Sequence, residues 1–397
     1  MALSGRLARY ALPLPWAIQR GSERVSLRRG LILQLCTVQP CNGSGPSSFS
    51  GFGEAACWPG FGSGSLAAVE EALERALPVF SELPWEERAP LRDRVIECIE
   101  ALKLRLGALP AEAESAISAA LLDLGAREQE RPLARALSTA APLQVESHQL
   151  VADQDGARRA VAAGARALKV KVARHPLAEE RALIEGIRAA VGPEVGLRLD
   201  ANEGWSFSEA REALEALAPS SPEWIEAPFP VTGAAGIDTL AALRRWSPVP
   251  IGADESLRDL AAVEAHLRAE AADVYVLKPL FLRGALPVWA MAERIAGAGA
   301  RLCLTHGLGT QIERRGVAHL AAALIGAGIP VAGGLGGTLA EDVAEALPAA
   351  RGCLSLGTEA GIGCDPLLSG VGALSALERD PVLHARAHRD APRERPR

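Results

Sequence analysis

From about residue 143 onward the chain repeats one pattern. A short apolar run is followed by an Ala/Leu/Glu/Arg-rich stretch with helical periodicity, and several of the runs end on a charged residue. The runs fall at 143–149, 167–172, 195–200, 224–226, 249–254, 274–278, 301–305 and 330–332, and the stretches between them include 177–191, 207–217 and 257–270. Near-continuous apolar strands alternating with amphipathic helices indicate a parallel sheet covered by helices. Eight such strands predict a closed (β/α) barrel. The competing doubly wound sheet requires a glycine-rich nucleotide loop after its first strand, and none is present. The glycine-rich pieces at 60–64 and 333–337 lack a strand–turn–helix setting and read as loops.

The 397 residues suffice for this barrel plus a smaller domain. Residues 1–140 read as an α+β lobe: apolar segments at 11–18, 30–35 and 51–57, a turn-rich loop at 41–50, then helical periodicity over 66–80 and 110–124. This lobe, completed by about 350–377, is expected to form a second domain beside a catalytic barrel over 141–350. The Arg/His/Pro-rich tail from 378 to 397 is expected to be disordered. Seven scattered cysteines without a C-x-x-C pair fit reduced thiols and a cytoplasmic location. No apolar run is long enough for a membrane span, and no signal peptide is expected. A net charge of −6 argues against a nucleic-acid partner.

Lysine and arginine total 42, but only Lys103, Lys169, Lys171 and Lys278 are lysines. Arginine serves wherever a solvated positive charge is enough. A retained lysine is therefore a candidate for work that needs a removable proton. Lys103, in a helical stretch, is set aside as chance. Lys169 and Lys171 end strand two, and their i, i+2 spacing puts both ammonium groups on one face. Strand three ends in Asp200, strand four in Glu226, strand five in Asp254 and strand six in Lys278. Barrel chemistry gathers at these strand ends. Strands two and six are opposite in a ring of eight, so two lysine walls flank an arc of three carboxylates. Singly, each acid is an ordinary surface or helix-capping residue. Together they form a hard-oxygen set suited to Mg²⁺ or Mn²⁺. Such a site suits abstraction of the proton beside a substrate carboxylate, with the metal stabilising the enediolate. Nearby positive charge is expected to depress a lysine pKa enough to make a base.

The motifs Lys169-Val170-Lys171, Asp200-Ala201-Asn202 with Trp205, Trp224-Ile225-Glu226-Ala227-Pro228, Ala253-Asp254-Glu255-Ser256 and Leu277-Lys278-Pro279 resemble the enolase superfamily. The similarity is to its branch of muconate lactonising enzymes and o-succinylbenzoate synthases. Arg29-Gly30-Leu31, Gly51-Phe52-Gly53-Glu54-Ala55 and Pro59-Gly60-Phe61 extend the resemblance through the N-terminal lobe. The resemblance implies a modified (β/α)7β TIM-like barrel with an α+β capping domain whose loops close over the barrel mouth. It implies Mg²⁺ on Asp200, Glu226 and Asp254, Lys171 as the base and acid, and Lys278 as the cation opposite. Lys169, Glu255, Asn202 and Arg198 would be supporting residues. The implied activity is that of a carbon–oxygen lyase acting on a small carboxylate, making o-succinylbenzoate for menaquinone. Cys57-Trp58 and Leu304-Thr305-His306-Gly307 depart from the family pattern, and His306 fits either a substrate contact or a structural role.

Two other readings stay open. N-acylamino acid racemisation would use the same two lysines, whereas a dipeptide epimerase would place an Asp-x-Asp where Gly333-Gly334-Leu335-Gly336-Gly337 stands. A non-catalytic barrel would have to bury these charges for no purpose, which is costly. Oligomeric state is not legible in the sequence.

Overall fold

The computed structural model describes residues 2–20, 23–38, 49–58, 64–86, 89–336 and 342–363. The 41–50 loop lies largely outside these residues, and the tail from 378 and most of the 60–64 segment lie outside them too. The chain opens with strands β1 (Ala2–Arg20), β2 (Glu23–Val38) and β3 (Ser50–Ala55), an antiparallel meander. Helices α1 (Leu66–Ala76), α2 (Leu91–Leu106), α3 (Ala111–Glu128) and α4 (Leu133–Leu137) follow. Pro90, Pro110 and Pro132 stand immediately before α2, α3 and α4, where a missing N–H costs nothing. Gly51 and Gly53 let β3 lie directly on α3. A Cβ at these positions would come within 2.2 Å of the Ala120 carbonyl oxygen and 1.9 Å of that of Ala116, respectively.

After β4 (Gln144–Glu146) the barrel comprises β5 (Gln149–Leu150), α5 (Gln154–Ala162), β6 (Ala167–Lys171), α6 (Leu177–Val191), β7 (Gly196–Asp200), α7 (Phe207–Leu217), β8 (Trp224–Glu226) and α8 (Gly233–Trp246). It continues through β9 (Ile251–Ala253), α9 (Leu260–Arg268), β10 (Val274–Leu277), α10 (Ala285–Gly297), β11 (Arg301–Thr305), α11 (Gln311–Gly326) and β12 (Val331–Gly334). Strands β5 to β12 lie in sequence order in one parallel sheet. The ring closes where the His148 N–H, just ahead of β5, donates to the Gly333 carbonyl at 3.0 Å. Seven helices between eight strands match the (β/α)7β expectation.

Three boundaries differ from the sequence reading. The first strand splits: Gln144–Glu146 pairs antiparallel with β14 (Cys353–Ser355), itself hairpinned to β13 (Ala349–Ala350), and only Gln149–Leu150 joins the barrel. Gly333 and Gly334, read as loop, finish the eighth strand by pairing with Leu304 and Thr305 of β11, and Gly333 must be glycine there because a Cβ would lie 2.0 Å from the Glu146 carbonyl oxygen. Helix α9 starts at Leu260, not 257, because Asp259 caps it by accepting the Ala262 N–H at 2.8 Å.

One apolar cluster fills the space between barrel strands and their helices, and a second lies between the meander and α1–α4. The two lobes meet through a buried polar network. Glu54, on β3, accepts the Thr310 N–H at 3.0 Å, the Thr310 hydroxyl, the Glu313 N–H at 3.3 Å and the Tyr10 hydroxyl. Glu313, in the first turn of α11, accepts the N–H groups of Gly307 at 2.6 Å and Gly309 at 2.8 Å.

Burial, reinforced by the charge of Glu54, pushes the Glu313 carboxyl up to about 7. A pKa raised on folding contributes stability that is present below the unfolded value of about 4.3 and lost as pH rises through the folded one. The unfolding free energy of the parent should therefore fall between pH 5 and 7 relative to Glu313→Gln, with a slope approaching about 1.4 kcal/mol per pH unit. Urea titrations across that range would measure it, and parallel pH profiles would refute it.

Candidate active site

Alternation along the barrel strands sorts residues into two sets. Leu168, Val170, Leu197, Leu199, Ile225 and Ile251 join the apolar layer under the helices. Their neighbours Lys169, Lys171, Arg198, Asp200, Trp224 and Glu226 are left for the barrel interior. Trp224, Val274, Val276 and Cys303 pack together as an inner plug, one strand step before the charged layer. The charged groups therefore sit over an apolar floor at the C-terminal mouth.

The sequence-predicted site residues come together there. Lys169 Nζ bridges two carboxylates, 2.8 Å from Asp200 Oδ2 and 2.5 Å from Glu226 Oε1. Lys171 Nζ lies 2.5 Å from Asp200 Oδ2 and donates to Asn202 Oδ1 at 2.7 Å. Lys278 pairs with Asp254. Asn202 Nδ2 donates to Glu255 Oε1 at 3.2 Å, and the Asn202 N–H donates to Asp200 Oδ1 at 2.9 Å. Asn202 thus links Lys171, Asp200 and Glu255 from a left-handed backbone, φ +45°, a conformation asparagine tolerates better than most residues. Arg198 does not touch the carboxylates of this layer. Its hydrogen bonds go to Glu223 at 2.7 Å, His148 Nδ1 at 3.0 Å and the Gly333 carbonyl at 3.3 Å.

The electrostatics differ from the sequence expectation in one respect. Burial pulls the Lys169 ammonium down, but Asp200, Glu226 and Asp254 outweigh it and hold the group well above its ordinary range. Burial and the carboxylates Asp254 and Glu255 compete in the same way at Lys278, and the net shift is again upward. The expected depression of lysine pKa is therefore reversed at these two positions, because the lysines face a surplus of carboxylates. Burial also pushes Glu226 up to about 7, with Lys169 opposing and Asp200 and Asp254 adding. Asp200 goes the other way: Lys169 and Lys171 together outweigh its burial and hold it well below the usual range.

Among the described residues, no three His, Cys, Asp or Glu side chains form a ready-made metal cluster. The carboxylates instead turn onto lysine ammonium groups. Their chemistry nevertheless fits a divalent cation. Asp200 and Glu226 are register partners on adjacent strands and already converge on one positive centre, Lys169 Nζ. Asp254 follows Ala253 at the end of the next strand, β9. All the donors are hard oxygens, and a further buried oxygen, Glu255 Oε2, has no hydrogen-bond partner.

Comparison with known proteins supplies the lineage. Residues 152–368 match the family described as Enolase C-terminal domain-like, which is more than half of the chain. The chain belongs to the enolase superfamily. Within it the similarity is to o-succinylbenzoate synthases. That of Mycobacterium ulcerans is 39% identical over 185 residues, covering 46% of this chain and 53% of that protein. That of Mycolicibacterium smegmatis is 35% identical over 254 residues, covering 62% and 73%. The chain thus spans about half the length of the first curated relative and nearly three quarters of the other. Among solved structures, an N-succinyl Arg/Lys racemase from Bacillus cereus superposes with a TM-score of 0.75 at 20% identity, covering 91% of this chain and 95% of that one. A dipeptide epimerase from Enterococcus faecalis, complexed with Mg and a dipeptide, gives 0.75 at 22%, covering 91% and 99%. These two establish the fold. Among the described residues, no helix is long and apolar enough to cross a membrane.

The mouth of this enolase-superfamily barrel has a wall that the sequence reading missed. Leu14 and Trp58 pack with Phe281, from the turn after Lys278, and with Leu308, from the loop after β11. Arg28 holds the two sides together. Only 1% exposed, it donates to the carbonyls of Ala56 at 3.1 Å, Gly307 at 3.0 Å and Leu308 at 3.1 Å, and to that of Cys57. Its guanidinium lies 5.2 Å from the centre of the Trp58 ring. Nothing in the sequence singled it out, since Arg28 stands beside Arg29 and ahead of the apolar run at 30–35. His306, beside this wall, hydrogen-bonds through Nε2 to the Gly336 carbonyl at 3.3 Å, while its buried Nδ1 has no partner. Burial, Arg314, Arg28 and Lys278 push its pKa down to about 4, outweighing the Gly336 hydrogen bond, so the ring is neutral.

Arg28→Met should lower stability by roughly 2–4 kcal/mol, because several buried carbonyls lose their donor at once. Arg28→Lys should recover only part of this, since one ammonium cannot span two loops. Urea unfolding of the three proteins would measure both effects. A Met variant as stable as the parent would show that the two loops do not depend on the staple.

Proposed function

We propose that the chain is an o-succinylbenzoate synthase. It would dehydrate 2-succinyl-6-hydroxy-2,4-cyclohexadiene-1-carboxylate to 2-succinylbenzoate, a carbon–oxygen lyase reaction of menaquinone synthesis dependent on Mg²⁺, with Mn²⁺ as a substitute. The observation that carries this reading is the placement of Lys171 on β6 and Lys278 just after β10, four strands apart in the ring, with Asp200 and Glu226 ending β7 and β8 and Asp254 just after β9. Similarity to o-succinylbenzoate synthases supports the substrate.

Asp200, Glu226 and Asp254 would hold the cation, which when bound supplies Lewis-acid stabilisation of charge on the substrate carboxylate. Lys171, in its neutral form, takes the α-proton, and the electron pair left on carbon becomes the enediolate. Collapse of the enediolate expels the hydroxyl group, and the Lys171 ammonium returns the proton to it. Water and the aromatic product leave, and the neutral amine is restored. Asn202, which holds Lys171 on one side and Glu255 on the other, aims the amine. Lys278 stays cationic on the opposite side and stabilises the enediolate. Lys169 keeps Asp200 and Glu226 in place. The Leu14, Trp58, Phe281 and Leu308 wall suits an apolar ring.

The opposed lysines equally suit racemisation of an N-acylamino acid, each serving one face of the α-carbon. A dipeptide epimerase is disfavoured, because the strand-eight end carries Gly333 and Gly334 and no carboxylate for a substrate ammonium.

Purified protein with Mg²⁺ should convert the cyclohexadiene carboxylate to its aromatic product, followed by ultraviolet absorbance. Lys171→Arg should lower the rate by roughly 10²–10⁴-fold, and chelation should abolish it. Absence of conversion by protein that still binds metal would reject this substrate. In that case, α-deuterium exchange on N-succinylamino acids in D₂O would establish the racemase instead.

A further inference from the structure

Glu226 has two carboxylate oxygens, and Lys169 engages only Oε1. The other, Oε2, accepts the indole N–H of Trp224 at 3.1 Å. The two residues stand two apart on β8, so strand alternation places both inside the barrel, and both are buried, at 2% and 0% exposure. Trp224 is itself held. The Arg198 guanidinium lies 4.4 Å from its ring centre and that of Arg301 lies 5.6 Å away. Arg198 is anchored by Glu223, His148 and the Gly333 carbonyl, and Arg301 donates to the Glu223 carbonyl at 3.1 Å. The neighbouring strand leaves room for the pair. Gly252 is the register partner of Glu226, and a Cβ there would come within 2.8 Å of Glu226 Cβ and 3.1 Å of Trp224 Cδ1.

We infer that Trp224 is a positioning residue for the metal centre: its indole N–H, braced by Arg198, holds Glu226 in the one side-chain orientation that presents Oε1 to a divalent cation. This rests on the reading of Glu226 as a metal ligand. A glutamate has several freely turning bonds, and a fixed hydrogen bond to one oxygen removes the entropy cost of ordering it at the moment of binding. An indole is suited to this task. It donates without accepting, so it cannot compete for the cation, and it carries no charge that would repel one. Arg198 therefore acts on the metal centre through Trp224, without contacting a ligand.

The test is calorimetric titration of the metal-free protein with Mg²⁺ and Mn²⁺. Trp224→Phe keeps a ring beneath Arg198, removes the donor and gives up part of the indole's volume. It should raise the dissociation constant about 10–100-fold, measured at a temperature where the variant is still folded, since the smaller ring also lowers the unfolding midpoint. Glu226→Gln is the reference variant. If Glu226→Gln weakens binding and Trp224→Phe does not, the inference fails and the metal reading stands. If Glu226→Gln leaves binding unchanged, the metal reading fails and takes the inference with it. A measurement on the parent covers the case in which Trp224→Phe does not fold. With ¹⁵N-indole tryptophan, one indole N–H resonance should shift in Glu226→Gln and also move when Mg²⁺ is added to the parent. If the resonance that responds to Glu226→Gln does not respond to Mg²⁺, the inference is overturned.

Discussion

Lys169 sits between Asp200 and Glu226, and the charged layer of the barrel depends on that contact. Three carboxylates on adjacent strand ends, nearly all buried, would repel one another in a medium that screens poorly. Unpaired, they would take up protons or force the strands apart. One ammonium shared by two of them, with Lys171 and Lys278 on the flanks, lets the barrel close around the cluster. The same arrangement explains why Asp200 and Glu226 shift in opposite directions. Asp200 is served by two lysines, and Glu226 shares only one.

The second constraint is the joint between the lobes. It is made of few groups, each with many partners. Glu54 gathers four donors and Arg28 four carbonyls, and both reach the loop that follows β11. That loop also carries His306 and Leu308, and Leu308 sits in the left-handed region at φ +58°. A backbone in that region needs surrounding support, and the buried hydrogen bonds to Gly307, Leu308 and Gly309 supply it. The glycines of Gly51-Phe52-Gly53-Glu54 explain how Glu54 gets there: they let β3 lie close enough on α3 for its acid to reach across.

Much of the barrel was legible because its signal is local. Helices at 177–191 and 207–217 and the strands that carry Lys171, Asp200 and Glu226 at or near their ends follow from periodicity. The misreadings involve contacts distant in sequence. Residues 144–146 look like the first barrel strand, but Cys353–Ser355 claims their backbone hydrogen bonds. Gly333 and Gly334 look like loop until β11 is seen to pair with them, Leu304 with Gly333 and Thr305 with Gly334. Helix α2 is legible only as a helical stretch around Lys103, since Ile96 and Leu104 on its exposed side blur the apolar stripe.

By itself the sequence determined the identity and order of the charged groups: which strand ends carry ammonium and which carry carboxylate. Strand order and side-chain alternation are properties of the chain, so those conclusions needed no coordinates. Tertiary structure decided what each charged group rests on. It showed that Arg198 stacks on a tryptophan and touches none of the carboxylates at the barrel mouth, that Arg28 fastens two loops, and that Lys169 and Lys278 are held protonated by their neighbours. A pKa, a rotamer and a buried hydrogen bond depend on distances between residues far apart in the chain, and those distances are set only when the barrel closes.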